Sequence, residues 1–160
     1  MIPIGLPWVM QFRIRQAVLP DDRGAMIDVL RTANMHHIPS PEMHDLDVGN
    51  WYVAESDGRV VGVAGFRLLE TEGRLVGKTT LLAVAPEERK RGIGRALQER
   101  RMRAMREAGA ERVVTNVDRP TTIAWYERNF GYRRVGTVRK LHEFGLRDVD
   151  RWTTLEARLR

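Results

Sequence analysis

The chain has 160 residues and a mass of 18.4 kDa, which is enough for one domain with a substantial core. Apolar residues make up 42% and charged residues 30%, a globular composition that excludes wholesale disorder. The absence of cysteine excludes disulfides, thiolate zinc sites and a cysteine nucleophile, and it fits the reducing cytoplasm where we expect the protein. The formal net charge of +6 fits either a bias of composition, which explains most of the cations, or an anionic partner, and eight of the 27 cationic residues lie within residues 89–106.

The first half of the chain predicts a short arm and then one helix among four strands. Residues 1–10 are apolar and lack the basic start of a secretory signal, so we expect an arm or tail before a domain over residues 11–160. The segment Pro20-Asp21-Asp22 is typical of a helix start, so we expect a helix to follow it. Alternation of apolar and polar residues predicts strands at 12–18, 51–55, 60–69 and 75–84.

The second half alternates helices with strands. Pro86 ends the strand before it, and Gly109 is a typical helix stop. Helices are predicted at 92–108 and 121–128, and strands at 112–117, 132–138 and 151–159. This order predicts an α/β (α+β) fold, with one mixed sheet flanked by helices.

The sharpest functional signal is a basic loop with two glycines at a predicted helix N-terminus. Arg89, Lys90 and Arg91 precede Gly92 and Gly94. Glycines there let a ligand approach the backbone, and the free N–H groups favour an anion such as phosphate. Three cations at that end oppose the helix dipole by about 0.3–1 kcal/mol each, an effect that a bound pyrophosphate would reverse. A tight turn with solvated arginines is the alternative for such a short glycine pattern.

Two segments resemble signatures of the GCN5-related N-acetyltransferases, the GNAT family. Residues 89–94, Arg-Lys-Arg-Gly-Ile-Gly, fit the family pattern R/Q-x-x-G-x-G/A, and residues 82–86 are similar to its fourth strand and following proline. Residues 124–132 are similar to its A-x-x-x-Y-E-K-x-G-F segment, except that Asn129 and Phe130 precede the glycine. The resemblance spans residues 12–159, and two motifs in the correct order are more specific than either alone.

The resemblance implies a single GNAT-like domain that binds acetyl-CoA and no metal. In this family the sheet is mixed and mostly antiparallel, and its fourth and fifth strands splay apart around the pantetheine arm of the cofactor. The pyrophosphate is expected on the amides of the glycine loop. The cofactor-binding residues implied are Leu82, Ala83, Val84, Arg89, Lys90, Arg91, Gly92, Ile93, Gly94, Arg95, Asn116 and Tyr126.

The implied activity is that of an N-acetyltransferase, in which an amine attacks the CoA thioester directly in a ternary complex. Tyr126 holds the family's usual position for the acid that protonates the leaving thiol, although a core aromatic is the alternative there. Val84 is expected to offer a backbone N–H to the oxyanion. A lysine-like amine with a pKa near 10.4 is neutral about once in 2,500 molecules at pH 7, whereas an α-amine near 7.7–8.0 needs far less help.

The general base and the acceptor stay open. Many relatives use a glutamate near the start of the fourth strand, but here that strand reads Lys78-Thr79-Thr80-Leu81. The candidates elsewhere are Glu70, Glu72, His36, His37 and His44. The three histidines are equally compatible with a solvated loop, and their spacing has no favoured geometry for a metal site.

Other partners and functions fit parts of the sequence. The missing carboxylate on the fourth strand is compatible with an acyl-CoA-binding sensor module without turnover. Arg100, Arg101 and Arg103 do not alternate with aromatic residues, so we expect a solvated helix face, with Glu99 paired to Arg103, and no nucleic acid. No apolar run approaches the roughly 20 residues that would span a bilayer, so no membrane partner is expected. The resemblance allows a homodimer, because edge strands of this family often pair across a two-fold axis.

Overall fold

A computed structural model of the chain describes residues 12–33, 46–141 and 145–159, and strands alternate with helices along these ranges. The strands are β1 (Phe12–Gln16), β2 (Asn50–Ser56), β3 (Arg59–Thr71), β4 (Arg74–Val84), β5 (Arg112–Val117), β6 (Arg133–Arg139) and β7 (Arg151–Arg158). The helices are α1 (Arg23–Arg31), α2 (Ile93–Glu107) and α3 (Pro120–Phe130), and a 3-10 turn covers Pro86–Glu88. These elements confirm the predicted order. The arm expected over residues 1–10 lies outside the described residues.

The strands form one mixed sheet in the order β1-β2-β3-β4-β5-β7-β6. Neighbouring strands are antiparallel except β4 and β5, which run parallel. This arrangement confirms the mixed, mostly antiparallel sheet flanked by helices.

The two parallel strands separate after a short stretch of pairing. Residues 76–78 of β4 pair with residues 112–114 of β5, and beyond them both strands continue without pairing to each other. The gap therefore opens at the carboxyl ends of both strands, where ligands bind in many open α/β sheets. The splayed fourth and fifth strands expected for the sheet are confirmed.

A β-bulge interrupts β4 beside this gap. Ala64 of β3 pairs with Leu82 and Phe66 pairs with Thr79, so Gly65 stands opposite both Thr80 and Leu81. A Cβ on Gly65 would collide with Thr80 and with the ring of Trp51, which explains the glycine there. Bulges bend a strand and redirect its backbone groups, and they are common next to active sites.

The core lies on both faces of the sheet because side chains along each strand alternate in direction. Tyr52 and Ala54 of β2 pack in the cluster that contains α2 and α3, while Trp51 and Val53 pack in the cluster that contains α1. The domain therefore has three layers, with the sheet in the middle. None of the helices in the described parts of the chain is long and apolar enough to cross a membrane.

The inner face of α2 corrects one expectation. Its buried residues are Ile93, Leu97, Gln98, Arg101 and Met105. Arg101 has no exposed surface, so its placement on a solvated helix face was wrong. Glu99 pairs with Arg95 at 2.9 Å rather than with Arg103. Both possible pairs have i,i+4 spacing, and the sequence alone favoured the other one.

Candidate active site

The N-terminus of α2 is built as an open cradle of backbone N–H groups. Gly92 caps the helix in the left-handed conformation, with φ of +83°, and no side chain caps this end. The nitrogen of Ala96 donates the first helical hydrogen bond, to the carbonyl of Gly92 at 3.0 Å. The N–H groups of Ile93, Gly94 and Arg95 precede that bond, so they are available to an anion.

The cations before this cradle fall into two groups. Arg91 forms an ion pair with Glu88. Within the described residues, Arg89 and Lys90 make no ion pair, and the Nε of Arg89 lies 3.4 Å from the carbonyl oxygen of Val84. The positive charge left for a ligand at this helix end therefore comes from Arg89 and Lys90.

The helix end opens onto a cleft of about 570 Å³. Its wall includes the last residues of β4, the glycine loop and α3, and the residues that matter here are Leu82, Ala83, Val84, Arg89, Gly94 and Trp125. Eleven of the twelve predicted cofactor-binding residues line it or its continuation between β4 and β5, and the exception is Arg91, which is half-buried against Glu88.

 Ile93 borders the cleft although its side chain packs into the core.

The continuation is a second cleft of about 590 Å³ in the gap where β4 and β5 diverge. It is lined by Thr80 and Leu81 at the bulge, by Thr115, Asn116 and Val117 of β5, and by Tyr126. Leu82, Arg89 and Thr122 belong to the walls of both clefts, so the two form one groove from the helix end into the sheet.

On the edge of β4 that faces this groove, beyond residue 78, the backbone groups do not pair with β5. The nitrogen of Ala85 donates to the carbonyl of Val61 in β3, at 2.8 Å. Successive residues of an extended strand direct their N–H groups to opposite edges. The N–H of Val84 is therefore directed away from β3 and toward the gap.

Asn116 lies in the part of β5 that has separated from β4 but still pairs with β7, and it lines the groove. Its Oδ1 accepts a hydrogen bond from Thr154 Oγ1 of β7, at 2.7 Å. Because Oδ1 is held by β7, the orientation of the Asn116 amide is fixed in the wall of the groove.

Tyr126 lies on the buried face of α3, with 4% of its surface exposed, and it also lines the gap between β4 and β5. Pro120 begins this helix and Gly131, in the left-handed conformation, ends it. The Oη of Tyr126 accepts a hydrogen bond from Nη2 of Arg101, at 2.9 Å. Tyr126 is thus a core aromatic residue that also borders the groove.

The rim beyond β5 is closed by a buried ion pair. Nζ of Lys140 lies 2.7 Å from Oδ2 of Asp118, and the side chains are 7% and 9% exposed. The same Oδ2 accepts from the backbone N–H of Leu146 at 2.7 Å, and Lys140 lies over the ring of Trp152. Asp118 is therefore engaged in holding the β6–β7 connection against the groove, and its carboxylate is already bound.

The structure does not bring the candidate bases Glu70 and Glu72 to the groove. Both are exposed at the hairpin between β3 and β4. From Arg74 to Leu82 a strand rises about 3.3 Å per residue, so this hairpin lies roughly 25 Å from the groove. The other candidates, His36, His37 and His44, lie outside the described residues.

Sequence reasoning missed the two buried cations that organise the site, Arg101 and Lys140. A signal existed for Arg101, because Ile93, Leu97 and Met105 mark a stripe at i,i+4 spacing and Arg101 occupies its missing position. The partner of Lys140 lies 22 residues away, and no local pattern predicts that contact.

Similar folds occur in several solved structures. Ard1 from Thermoplasma volcanium superposes with a TM-score of 0.74 at 19% identity, covering 93% of this chain and 98% of the other. Arabidopsis thaliana Naa50, in complex with the bisubstrate analogue CoA-Ac-MVNAL, gives 0.77 at 13% identity, covering 92% and 99%. A GNAT family acetyltransferase from Elizabethkingia anophelis with acetyl-CoA bound gives 0.70 at 16% identity, covering 92% and 98%. At such identities the likeness establishes the fold.

No curated protein matches this chain in sequence. The model of the acetyltransferase (GNAT) family matches residues 19–132, a stretch that contains the glycine loop, the diverging strands and Tyr126. Because this match covers well over half of the chain, the protein belongs to the GNAT family of acetyltransferases.

Proposed function

We propose that the protein is an acetyl-CoA-dependent N-acetyltransferase that acts on a primary amine. The observation that carries this proposal is the groove that runs from the open N–H groups of α2 to Tyr126 in the gap between β4 and β5. Family membership supports it, and so do two structural neighbours, one with acetyl-CoA bound and one with a bisubstrate analogue of CoA.

The groove fits the chemical parts of acetyl-CoA in order. The pyrophosphate would lie on the N–H groups of Ile93, Gly94 and Arg95, where Arg89 and Lys90 supply positive charge. The pantetheine arm would follow the free edge of β4, and its amides would pair with the Val84 backbone. The thioester would then reach the gap beside Tyr126.

In the proposed reaction, the groups beside the thioester each have one role. The amine nitrogen attacks the thioester carbonyl carbon, which forms the C–N bond and places negative charge on the carbonyl oxygen. A backbone N–H of β4 stabilises that oxyanion, and we propose that of Leu82 rather than Val84, because Leu82 lines the cleft where the thioester would lie and its N–H is directed to the gap like that of Val84. Collapse breaks the C–S bond, the thiolate takes a proton from Tyr126 Oη, and the amide nitrogen loses its proton to solvent. The phenolate then regains a proton from water, so that an amide and free CoA thiol leave.

The described residues favour an acceptor that is already partly neutral. Two carboxylates line the groove in the described part of the chain, and both are paired: Asp118 with Lys140 and the Leu146 N–H, and Glu88 with Arg91. An α-amine, with a pKa near 7.7–8.0, is neutral in roughly one molecule in ten at pH 7, whereas a lysine-like amine needs a base. We therefore propose that acceptors with a free α-amine react better than those with an aliphatic side-chain amine.

The test is amine-dependent release of CoA thiol from acetyl-CoA, corrected for hydrolysis, over small amines, amino acids and peptides with a free α-amine. The Tyr126→Phe variant keeps the ring and removes the proton donor. Its kcat should fall on the order of 100-fold or more, the usual contribution of a general acid, with little change in KM for acetyl-CoA.

Tyr52→Phe is the matched control. Tyr52 has the same 4% exposure, and its ring stacks on Phe66 in the core rather than lining the groove. It should keep wild-type kcat. Equal losses in both variants would assign the Tyr126 effect to packing and would remove its role as the acid.

The second candidate is an acyl-CoA-binding sensor without turnover. It is favoured by the lack of a free carboxylate on the described groove wall to act as the base, because β4 carries none and Asp118 is already paired. A sensor would bind acetyl-CoA and release no thiol with any amine, whereas turnover with one amine excludes it.

A further inference from the structure

Arg101 is an unusual residue for the middle of this domain. Its side chain has no exposed surface, and within the described residues it makes no ion pair with a carboxylate. A guanidinium stays charged at any accessible pH, and burying a charge without a counter-charge is costly. Because an apolar residue would fill the same position of the α2 stripe without that cost, we ask which contacts of Arg101 an apolar residue could not make.

The guanidinium is held by acceptors on two sides. Its Nη1 donates to the carbonyl oxygens of Gly65, at 2.9 Å, and Leu81, at 3.1 Å. These are the carbonyls of the residues that face each other across the β4 bulge. Its Nε donates to Oε1 of Gln98 at 2.6 Å. Three hydrogen bonds therefore fix the plane of the guanidinium between the helix and the bulge.

The remaining nitrogen meets the proposed acid. Nη2 donates to Tyr126 Oη at 2.9 Å. Because a guanidinium offers donors and no acceptor, the phenol oxygen must accept in this bond. The hydroxyl hydrogen of Tyr126 must then be directed at another acceptor, and Tyr126 lines the groove where the thioester sulfur would lie.

We propose that Arg101 is a positioning residue for acetyl transfer, which orients the Tyr126 hydroxyl so that its hydrogen is presented to the leaving sulfur. The inference rests on the proposed function. The positive charge beside Oη also stabilises the negative charge that develops there as the proton leaves.

One other titratable side chain belongs to this network. Gln98 Nε2 donates to Tyr132 Oη at 2.9 Å, which fixes the amide of Gln98 with its oxygen toward Arg101. Burial raises the pKa of Tyr132, and the charge of Arg101 acts in the opposite direction. Tyr132 therefore stays neutral over the working pH range and leaves Arg101 as the fixed charge beside Tyr126.

The test is a double-mutant cycle with Arg101→Met and Tyr126→Phe, read as kcat and KM for acetyl-CoA. Arg101→Met alone should lower kcat on the order of 10- to 100-fold, the range of one charge-assisted hydrogen bond, with little change in KM. In the Tyr126→Phe background the same change should have almost no further effect on kcat, because Arg101 acts through Tyr126. Independent losses that multiply would overturn the inference while the proposed function stands.

A second readout does not need an acceptor. The thiol of bound CoA is titrated by its ultraviolet thiolate absorbance. In the wild type it should ionise about one to two pH units lower than in Arg101→Met, because the oriented hydroxyl donates to the thiolate. Identical titrations would contradict the inference even if no acceptor amine is found, and failure of CoA to bind the wild type would remove the proposed function as well.

Two further variants guard against a folding effect. Arg103→Met makes the same substitution on an exposed position of α2, and it should keep wild-type kcat and thiol titration. If Arg101→Met does not fold, the cycle is run with Arg101→Lys. This variant keeps the charge but is too compact a donor to reach both carbonyls and Tyr126, so it should show a smaller loss that is again absent in Tyr126→Phe.

Discussion

Substitution of Gly94 can test the proposed phosphate site separately from the stability of the fold, because a methyl group there does not disturb the protein itself. It is the second residue of α2, and a Cβ built on it meets only Val84 Cγ2, at an ordinary 3.7 Å. Replacing a helical glycine by alanine stabilises a protein by up to about 0.5–1 kcal/mol. For a domain of this size we expect the unfolding midpoint of Gly94→Ala, without ligand, to rise by about 1–4 °C.

A larger side chain at this position should weaken acetyl-CoA binding, because Gly94 lines the cleft where the pyrophosphate would approach the backbone. The family pattern allows alanine here, so the test variant is Gly94→Trp. Losing one charge-assisted hydrogen bond costs about 1.5–3 kcal/mol, or roughly 10- to 150-fold in Kd. Acetyl-CoA at 100 times the wild-type Kd stabilises the wild type by about 2.7 kcal/mol, a shift of about 5–10 °C. In Gly94→Trp this stabilisation should fall to roughly 0.3–1.4 kcal/mol.

Thermal unfolding with and without acetyl-CoA measures both effects. Gly94→Ala is the matched control at the same position, and it should show the gain in stability and keep the full ligand shift. Gly24→Trp tests the bulk of the side chain alone: Gly24 is the second residue of α1, a Cβ there meets nothing within 4 Å, and it lies outside the groove, so this variant should also keep the full ligand shift. An unchanged ligand shift in Gly94→Trp would refute the assignment of the α2 N-terminus as the phosphate site.

Two further predictions concern stability. Lys140→Met leaves Asp118 buried without its cation and should lower the free energy of unfolding by about 3–5 kcal/mol in urea titrations, whereas loss of the exposed Arg134 should cost at most about 1 kcal/mol. Hydrogen bonds from Arg15 hold the pKa of Asp22 below its ordinary value, so the stability that this pair contributes is complete at neutral pH and is lost as the pH falls below about 4. The stability difference between the wild type and Asp22→Asn should accordingly shrink over that acidic range, and a constant difference would contradict the argument.

The element order and the open N–H groups at the start of α2 could be predicted from the sequence, because both depend on local signals. Strand alternation, helix stops and the Gly92 and Gly94 pattern act within a few residues, and the structure has the left-handed Gly92 at the start of α2 where that pattern predicts a helix end. The helix bounds differ from the expected ones by one or two residues, as fraying ends usually do. Resemblance to a family added the splayed strands, which composition and periodicity do not reveal.

Which polar side chains are buried, and what they contact, depends on how distant parts of the chain pack together. Arg101 lies in an arginine-rich stretch that reads as a solvated face, and it is buried because its position on α2 faces the β4 bulge and Tyr126. Lys140 lies in an irregular charged connection, yet it is buried against the carboxylate of Asp118, which directly follows β5. Such contacts join residues 20 or more positions apart, and a buried charge is retained where the packed chain supplies its acceptors, which no local pattern encodes.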